Sequence, residues 1–388
     1  MKIWKHSKSF CMATTTNKEA EMLLEFLNER NNLGAPNSLY SCCSANEDVL
    51  SAAMLRSKKT NTPLLIEATA NQVNQYGGYT GKTPADFYSY VHSLANSIDL
   101  PKNNLYLGGD HLGPLTWSNL PEDQAMEEAE TLVRSFVSAG FEKIHLDTSM
   151  RLGSDDPSEP FPASVCAERG AILCKACEDE IKVNCENLAR SLVYVVGSEV
   201  PVPGGKTGNG ASDSVTKIED YQNTIEAYRR AFVCHSLDDA FSRIIAIVVE
   251  MGVEFSEYSI CHYNKKAFES LSEFAKGKRI RFEAHSTDYQ TRGNLREMVR
   301  DGAAILKVGP ALTFAAKSAL FKLELIEKEL IDSRKWSDYR KTIDAAMNQD
   351  PSKWNSYYKG SDREIAFARA FSFSDRSRYY MDTSIVKS

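Results

Sequence analysis

The stretch Leu105-Tyr106-Leu107-Gly108-Gly109-Asp110-His111-Leu112-Gly113-Pro114 governs how the whole chain is read. Its first three residues form an apolar run suited to a buried strand. An acid and an imidazole then stand side by side before a Gly-Pro turn stops the run. Adjacent side chains of a strand face opposite ways, but that alternation relaxes where a strand passes into a loop. An Asp-His pair there offers a proton-transfer carboxylate next to a metal-binding imidazole. On these residues alone, a turn aspartate beside a packed histidine fits equally well.

Outward from this stretch, short apolar runs alternate with amphipathic segments of helical length. The runs fall at residues 38–43, 63–68, 105–107, 143–147, 192–196, 243–249, 280–284 and 304–308. Between them, segments such as 84–98, 123–139 and 265–276 carry helical periodicity. Strands alternating with helices imply a parallel sheet, and eight such units close most economically as a (β/α)8 TIM barrel of the α/β class. An open doubly wound sheet is the competitor, but no G-x-G-x-x-G follows the first strand. The expected organisation is an N-terminal leader over 1–36, amphipathic near Lys18–Arg30, a barrel over 37–333, and a C-terminal helical appendage over 334–388. That appendage is rich in aromatics, among them Trp336, Trp354, Tyr358 and Tyr380, and is expected to pack on the barrel or on a partner subunit.

Composition narrows the function classes. With 388 residues, 42% hydrophobic and 25% charged, the chain has the makings of a large globular core. The net charge of -6 leaves no basic footprint for nucleic acid. No apolar run is long enough to span a bilayer. Lys2, Lys5 and Lys8 are followed by no apolar segment, so no secretory signal is expected. Nine cysteines without such a signal point to reduced thiols and a cytoplasmic location. Cys174 and Cys177 form a lone C-x-x-C on a helical pattern, a weak signal for zinc or redox chemistry.

Barrel chemistry sits at the carboxyl ends of the strands. The first end offers Ser44 and Asn46; the second offers Glu67 and then a polar, glycine-rich loop from Asn71 to Lys82 that includes Gln75. The third gives Asp110 and His111, the fourth Asp147 and Ser149, the fifth Glu199. The sixth gives Glu250, with His262 after a further loop; the seventh His285, Ser286 and Asp288; the eighth Lys307 and Gly309. One such residue is commonly a cap or a turn, but carboxylates and imidazoles at several strand ends indicate an active site. Histidines with a glutamate suit a divalent transition metal, zinc or manganese, with a position open for substrate oxygens. His111 and His285 are the first ligand candidates, then Glu199, with His262 the remaining one. His145 in mid-strand and His92 in mid-helix read as structural. The segment Gly204-Gly205-Lys206-Thr207 imitates the end of a phosphate-binding P-loop, but Val200 stands where that motif needs its first glycine.

Several longer motifs resemble one family. They are Ile66-Glu67-Ala68-Thr69, Asn71-Gln72-Val73-Asn74-Gln75, Gly77-Gly78-Tyr79-Thr80-Gly81, the Asp110-His111 stretch itself, and Lys143-Ile144-His145-Leu146-Asp147. Residues 197–205, 282–291 and 304–315 continue the likeness, as do Ser374-Asp375-Arg376 and Arg378-Tyr379-Tyr380. Together they resemble the GatZ/KbaZ family of tagatose-bisphosphate aldolase subunits from about Tyr40 onward. The likeness departs at Ser44-Ala45-Asn46-Glu47, where some members have Cys-Ser-Ala-His-Pro, in a longer leader, and in an earlier end after Tyr380 that implies fewer helices for oligomer or partner contacts.

The resemblance implies a class II aldolase-like barrel and a role in catabolism of tagatose, galactitol or related sugars. Members are of two kinds: non-catalytic partners of a class II aldolase catalytic subunit, and metal-dependent 4-epimerases of ketohexoses or their 6-phosphates. Class II aldolases use an Asp-His pair after the third strand, which Asp110-His111 matches, while Glu199 and His285 match their fifth- and seventh-strand residues. On the enzyme reading, Asp110 is the base, Glu199 and Asp147 assist, and a Zn2+ or Mn2+ sits on His111 and His285 with Glu199 or His262. Glu67, Asp147, Asn71 and Gln75 would hold sugar hydroxyls, and Asp288 is a further substrate-binding candidate. A phosphate, if present, would sit near Ser286, Arg292 and Gly309, with Arg376 or Arg378 reaching in from the tail. A homo-oligomer is expected from the family.

Overall fold

The eight apolar runs become eight parallel strands in the computed structural model, which describes residues 37–159, 161–184, 192–201 and 214–387. In chain order these are β1 (Leu39–Cys42), β2 (Leu64–Thr69), β3 (Leu105–Leu112), β4 (Lys143–Leu146), β5 (Val193–Val196), β6 (Ile244–Val249), β7 (Arg281–Ala284) and β8 (Ala303–Val308). Each pairs in parallel with the next, and β8 pairs back onto β1, so the sheet closes into a barrel. A helix follows every strand: α1 (Glu47–Thr60), α2 (Pro84–Ser97), α3 (Glu122–Ala139), α4 (Ala163–Asn184), α5 (Ile218–Cys234), α6 (Lys265–Ala275), α7 (Arg292–Arg300) and α8 (Pro310–Leu330). The expected leader helix and the segment Gly204–Thr207 lie outside the described residues. Among the described residues, no helix is long and apolar enough to cross a membrane, and Cys42, Cys43, Cys166, Cys174, Cys177 and Cys234 are free thiols.

A period of two along each strand decides what faces where. On β2, Leu64 and Ile66 pack outward against the helices, whereas Leu65 turns into the lumen. On β5, Tyr194 and Val196 face out, and Val193 and Val195 face in. The lumen is therefore closed by an apolar layer that includes Leu39, Leu65, Tyr106, Val193, Val248 and Ile305. The same alternation turns Glu67 of β2, Lys143 and His145 of β4, Glu283 of β7 and Lys307 of β8 inward, and all are buried. The barrel thus carries a charged layer toward the carboxyl ends of its strands.

The apolar run stops at Leu107, and β3 continues through Asp110 and His111 to Leu112, up to the Gly-Pro stop expected from the sequence. The glycines within it are close-packing positions. A side chain at Gly108 would meet Glu67 Cγ at 2.9 Å, so its absence lets Glu67 lie across the strand. The ladder with β2 runs on to Thr69 opposite Asp110. At Gly113, a Cβ would stand 1.7 Å from the carbonyl oxygen of Asp147, so only glycine lets β3 pass beside the end of β4.

Past α8 the chain forms α9 (Tyr339–Gln349), α10 (Asp362–Phe371) and a single turn at Arg376–Tyr379. These share a small core of Ile343, Met347, Trp354, Tyr358 and Tyr380. Buried Asp375 pins the last turn to α8, accepting from Lys317 Nζ at 2.5 Å and Thr313 Oγ1 at 2.6 Å. The tail therefore packs on the barrel and brings Arg378 and Tyr379 over its mouth. There the Tyr379 ring meets Tyr79 edge to face at 4.8 Å between centroids.

Candidate active site

Four buried side chains meet at the carboxyl ends of the strands: Asp110 and His111 of β3, His145 of β4 and His285 just past β7. One ligand-capable atom from each lies within 4.8 Å of the others. The imidazoles form a triangle, with ring centroids 5.1 Å apart for His111–His145, 4.9 Å for His111–His285 and 5.4 Å for His145–His285. His111 and Ser286 both adopt left-handed backbone, with φ of 47° and 52°. Such strain at non-glycine residues costs on the order of 1–3 kcal/mol each and gathers where a fold over-determines a functional constellation.

Carboxylates lie against all three rings, Asp110 Oδ1 standing 3.0 Å from His145 Nδ1. His111 Nδ1 lies 2.8 Å from Asp147 Oδ2, and His285 Nε2 lies 2.9 Å from Glu283 Oε1. A carboxylate on one ring nitrogen sets the tautomer and leaves the other nitrogen's lone pair for a ligand. Burial pushes both His145 and His285 down to about 4, so at neutral pH these rings are uncharged and able to bind a cation. Burial works against ionisation of Asp147, but its hydrogen bond to His111 and the neighbouring rings hold its carboxyl well below the usual range. Nε2 of His145 is buried and has no hydrogen-bond partner, an arrangement that costs free energy unless something else supplies one.

Beneath the imidazoles lies the charged layer. Lys143 Nζ is 2.5 Å from Glu67 Oε1 and 2.7 Å from Glu283 Oε2. Lys307 Nζ contacts Asp110 Oδ1 and stands 3.8 Å from Glu67 and 3.5 Å from Glu283. Ser41 Oγ donates to Glu67 Oε2 at 2.6 Å. Burial opposes ionisation of Glu67 and Glu283, yet Lys143 holds both carboxyls below their ordinary range, aided by Lys307 at Glu67 and by His285 at Glu283. Four buried carboxylates (Glu67, Asp110, Asp147 and Glu283) thus stand with two buried lysines around the imidazole triangle. The triangle, its carboxylate supports and the unpartnered His145 nitrogen together fit a divalent cation.

A cavity opens above the cluster, lined by Asp110, His111, His285, Ser286, Asp288, Lys307 and Gly309 from the barrel, Asn71, Gln72 and Tyr79 from the loop after β2, and Arg378 and Tyr379 from the tail. Of the residues expected from sequence, Asp110, His111, Asp147 and His285 come together, and Asn71, Ser286, Asp288 and Gly309 line the cavity. Glu67 sits below them in the charged layer. Others lie apart. Gln75 donates to the carbonyl and carboxylate of Glu128, and Arg292 is exposed at the start of α7. Arg376 lies on the Tyr357 ring in a neighbouring cleft with Lys353. His262 is exposed and outside the cluster. Glu199 is half-buried and accepts from Thr216 Oγ1 at 2.7 Å rather than joining the imidazoles.

Sequence reasoning set His145 aside as structural and singled out neither Lys143 nor Glu283, although all three belong to this centre. The signal was present as spacing. Lys143 and His145, and likewise Glu283 and His285, stand two residues apart, the period that puts both on one face of a strand.

A profile of the family described as D-tagatose-1,6-bisphosphate aldolase subunit GatZ/KbaZ-like matches residues 24–388. A crystal structure of a probable tagatose 6-phosphate kinase from Sinorhizobium meliloti 1021 is 40% identical, with a TM-score of 0.81 over 90% of this chain and 85% of that one. The YdjI aldolase from Escherichia coli K12 is 11% identical at a TM-score of 0.44, over 92% of this chain and 95% of that one. At those values the likeness establishes neither fold nor function. The long match and the close structural neighbour do establish kinship: this chain belongs to the GatZ/KbaZ-like family of D-tagatose-1,6-bisphosphate aldolase subunits.

Proposed function

We propose that this protein is an enzyme that epimerises a ketohexose, or its 6-phosphate, at C4 by aldol cleavage and re-formation, interconverting tagatose- and fructose-type sugars. The observation that carries the reading is the convergence of Asp110 with three imidazoles, each against a carboxylate. An inert scaffold has no need of such an arrangement. His111, His145 and His285 would hold a zinc or manganese ion, with Asp110 beside it. Bound there, the cation would act as a Lewis acid toward the ketose carbonyl.

The chain's own groups account for the proton and for orientation. Lys307 against Asp110 holds that carboxylate in place. Asp110 takes the proton of the C4 hydroxyl, the C4–O bond becomes a carbonyl, and the C3–C4 electron pair moves into an enediolate of the three-carbon half. The aldehyde half turns over, its other face accepts the same electron pair, and Asp110 returns the proton to the new C4 oxygen. Asn71, Gln72 and Tyr79 along the wall are placed to hold hydroxyls during the turn. Arg378 and Tyr379 cover the mouth, which limits escape of the aldehyde.

A second reading, a non-catalytic partner that stabilises a class II aldolase subunit, is favoured by the family's description as an aldolase subunit. Proton NMR of the purified protein, loaded with zinc or manganese and incubated separately with tagatose and tagatose 6-phosphate, decides between them. A fructose-type product that vanishes in Asp110→Asn is the expected result. Triose products would indicate an aldolase. No turnover, with raised activity of an added class II aldolase subunit, would make the chain an accessory.

A further inference from the structure

The phosphate seat of a barrel of this kind is formed by the loops after the seventh and eighth strands and the helix start beside them, where free N–H groups face the ligand. In this protein that seat is already taken. Asp288, which is only 2% exposed, sends one carboxylate oxygen to the start of α8. Its Oδ1 accepts from the N–H of Gly309 at 3.1 Å and of Ala311 at 2.8 Å. Pro310 between them has no N–H to offer, and the N–H of Leu312 turns back to the Gly309 carbonyl at 3.0 Å. The first turn of a 21-residue helix is therefore closed to an outside anion by an internal one.

The loop after β7 is equally committed. The N–H and hydroxyl of Thr287 both donate to the Lys307 carbonyl, at 3.1 and 2.6 Å. The cations on this side of the cavity are engaged as well. Lys307 is bound to Asp110. Arg378 Nη1 donates to the carbonyls of Ser374 and Asp375, and its Nη2 donates to Tyr379 Oη at 2.8 Å. Burial pushes the Asp288 carboxyl up to about 6, which still leaves it anionic at neutral pH. A phosphate dianion entering here would meet a buried carboxylate where the helix N–H groups would otherwise receive it. A sugar hydroxyl would instead find an acceptor, since one Asp288 oxygen remains outside the two helix contacts.

We propose that Asp288 fills the barrel's phosphate seat with its own carboxylate and selects ketoses whose far end carries a free hydroxyl over their phosphate esters. The proposal rests on the ketose reading of the site for the identity of the sugar, but its claim about the seat can be tested without it.

Isothermal titration of the zinc-loaded full chain with tagatose, tagatose 6-phosphate and inorganic phosphate provides that test, applied to the wild type, Asp288→Asn and Asp288→Gly. Asparagine keeps an oxygen for the two N–H groups and removes only the charge, so it guards against a variant that fails to fold; far-UV circular dichroism checks the glycine form. In the wild type, tagatose should bind at least about ten-fold tighter than its 6-phosphate, as expected for like charges brought together. Inorganic phosphate should not bind. In Asp288→Gly the order should reverse and inorganic phosphate should bind, with Asp288→Asn in between. If no form binds either sugar but inorganic phosphate binds Asp288→Gly and not the wild type, the seat assignment stands and the ketose reading falls. Tighter wild-type binding of the 6-phosphate overturns the proposal. Its loss on Arg376→Ala would put the ester in the cleft beside Lys353. Failure of folded Asp288→Gly to bind phosphate overturns it too.

Discussion

Replacing Lys143 by methionine probes the charged layer directly. Lys143 is fully buried, with carboxylate oxygens at 2.5 and 2.7 Å. At an effective dielectric constant of about 20, each contact amounts to about 6 kcal/mol of gross attraction. Returning one ammonium group to water gives back several kcal/mol, so the net cost of breaking such a pair from one side is about 3–5 kcal/mol. Lys307, farther from both carboxylates, moderates but does not replace the lost partner. The pH dependence carries the sharper signature. In the wild type, Glu67 and Glu283 titrate below their unfolded values, so their contribution is present above about pH 4.3 and is lost as pH falls. In Lys143→Met, burial outweighs the remaining opposition from Lys307 and the imidazoles and should raise both carboxyls, so the folded state binds more protons and stability falls as pH rises. The deficit should therefore be widest near neutrality and narrow toward pH 5. Urea unfolding at both pH values, on metal-free protein, measures it. A neutral-pH deficit under about 1 kcal/mol, or one that grows on acidification, would refute the reasoning.

Other perturbations test other parts. Glu283→Gln, by freeing the His285 ring, should weaken zinc binding roughly 10–100-fold in competition with a chelating dye, and Asp147→Asn should do so through His111, whereas His262→Ala should not. Chelation of the loaded protein should lower its thermal midpoint, because a cation bound at 100 times its Kd stabilises the fold by about 2.7 kcal/mol; an unchanged midpoint would count against the imidazole triangle as a cation site. Gly113→Ala forces a Cβ onto the Asp147 carbonyl oxygen and should cost more than about 4 kcal/mol or prevent soluble expression. Asp375→Asn strands Lys317, itself 1% exposed, and should cost about 3–5 kcal/mol in urea unfolding, with a shift in Trp354 emission as the tail loosens.

What the sequence made legible, and what it hid, have a common physical cause. Apolar runs of three to seven residues spaced by amphipathic helices identify strands because burial on the helix side demands apolar residues wherever the barrel closes. All eight runs accordingly correspond to strands. The lumen side obeys no such demand. A lysine or histidine within an apolar strand, as in Lys143-Ile144-His145-Leu146, reads as a stray polar residue until closure brings its partners from distant strands into contact. Glu67, Lys143 and Glu283 are separated by 76 residues in one direction and 140 in the other, and no local pattern ties them together. His145 was set aside for the same reason: mid-strand position signals structure only if the strand's inner face is assumed apolar. Gly108 and Gly109 serve the passage of Glu67 and the close packing of Leu112, so the strand runs on until Asp110 and His111 stand at its carboxyl end. The omissions have one consequence. Counted without Lys143, Glu283 and His145, the site is an acid beside one or two imidazoles. Counted with them, it is a triangle of imidazoles resting on carboxylates, with a buried His145 nitrogen left without a partner, and that donor set, rather than any single ligand, is the physical argument for a divalent cation at this centre.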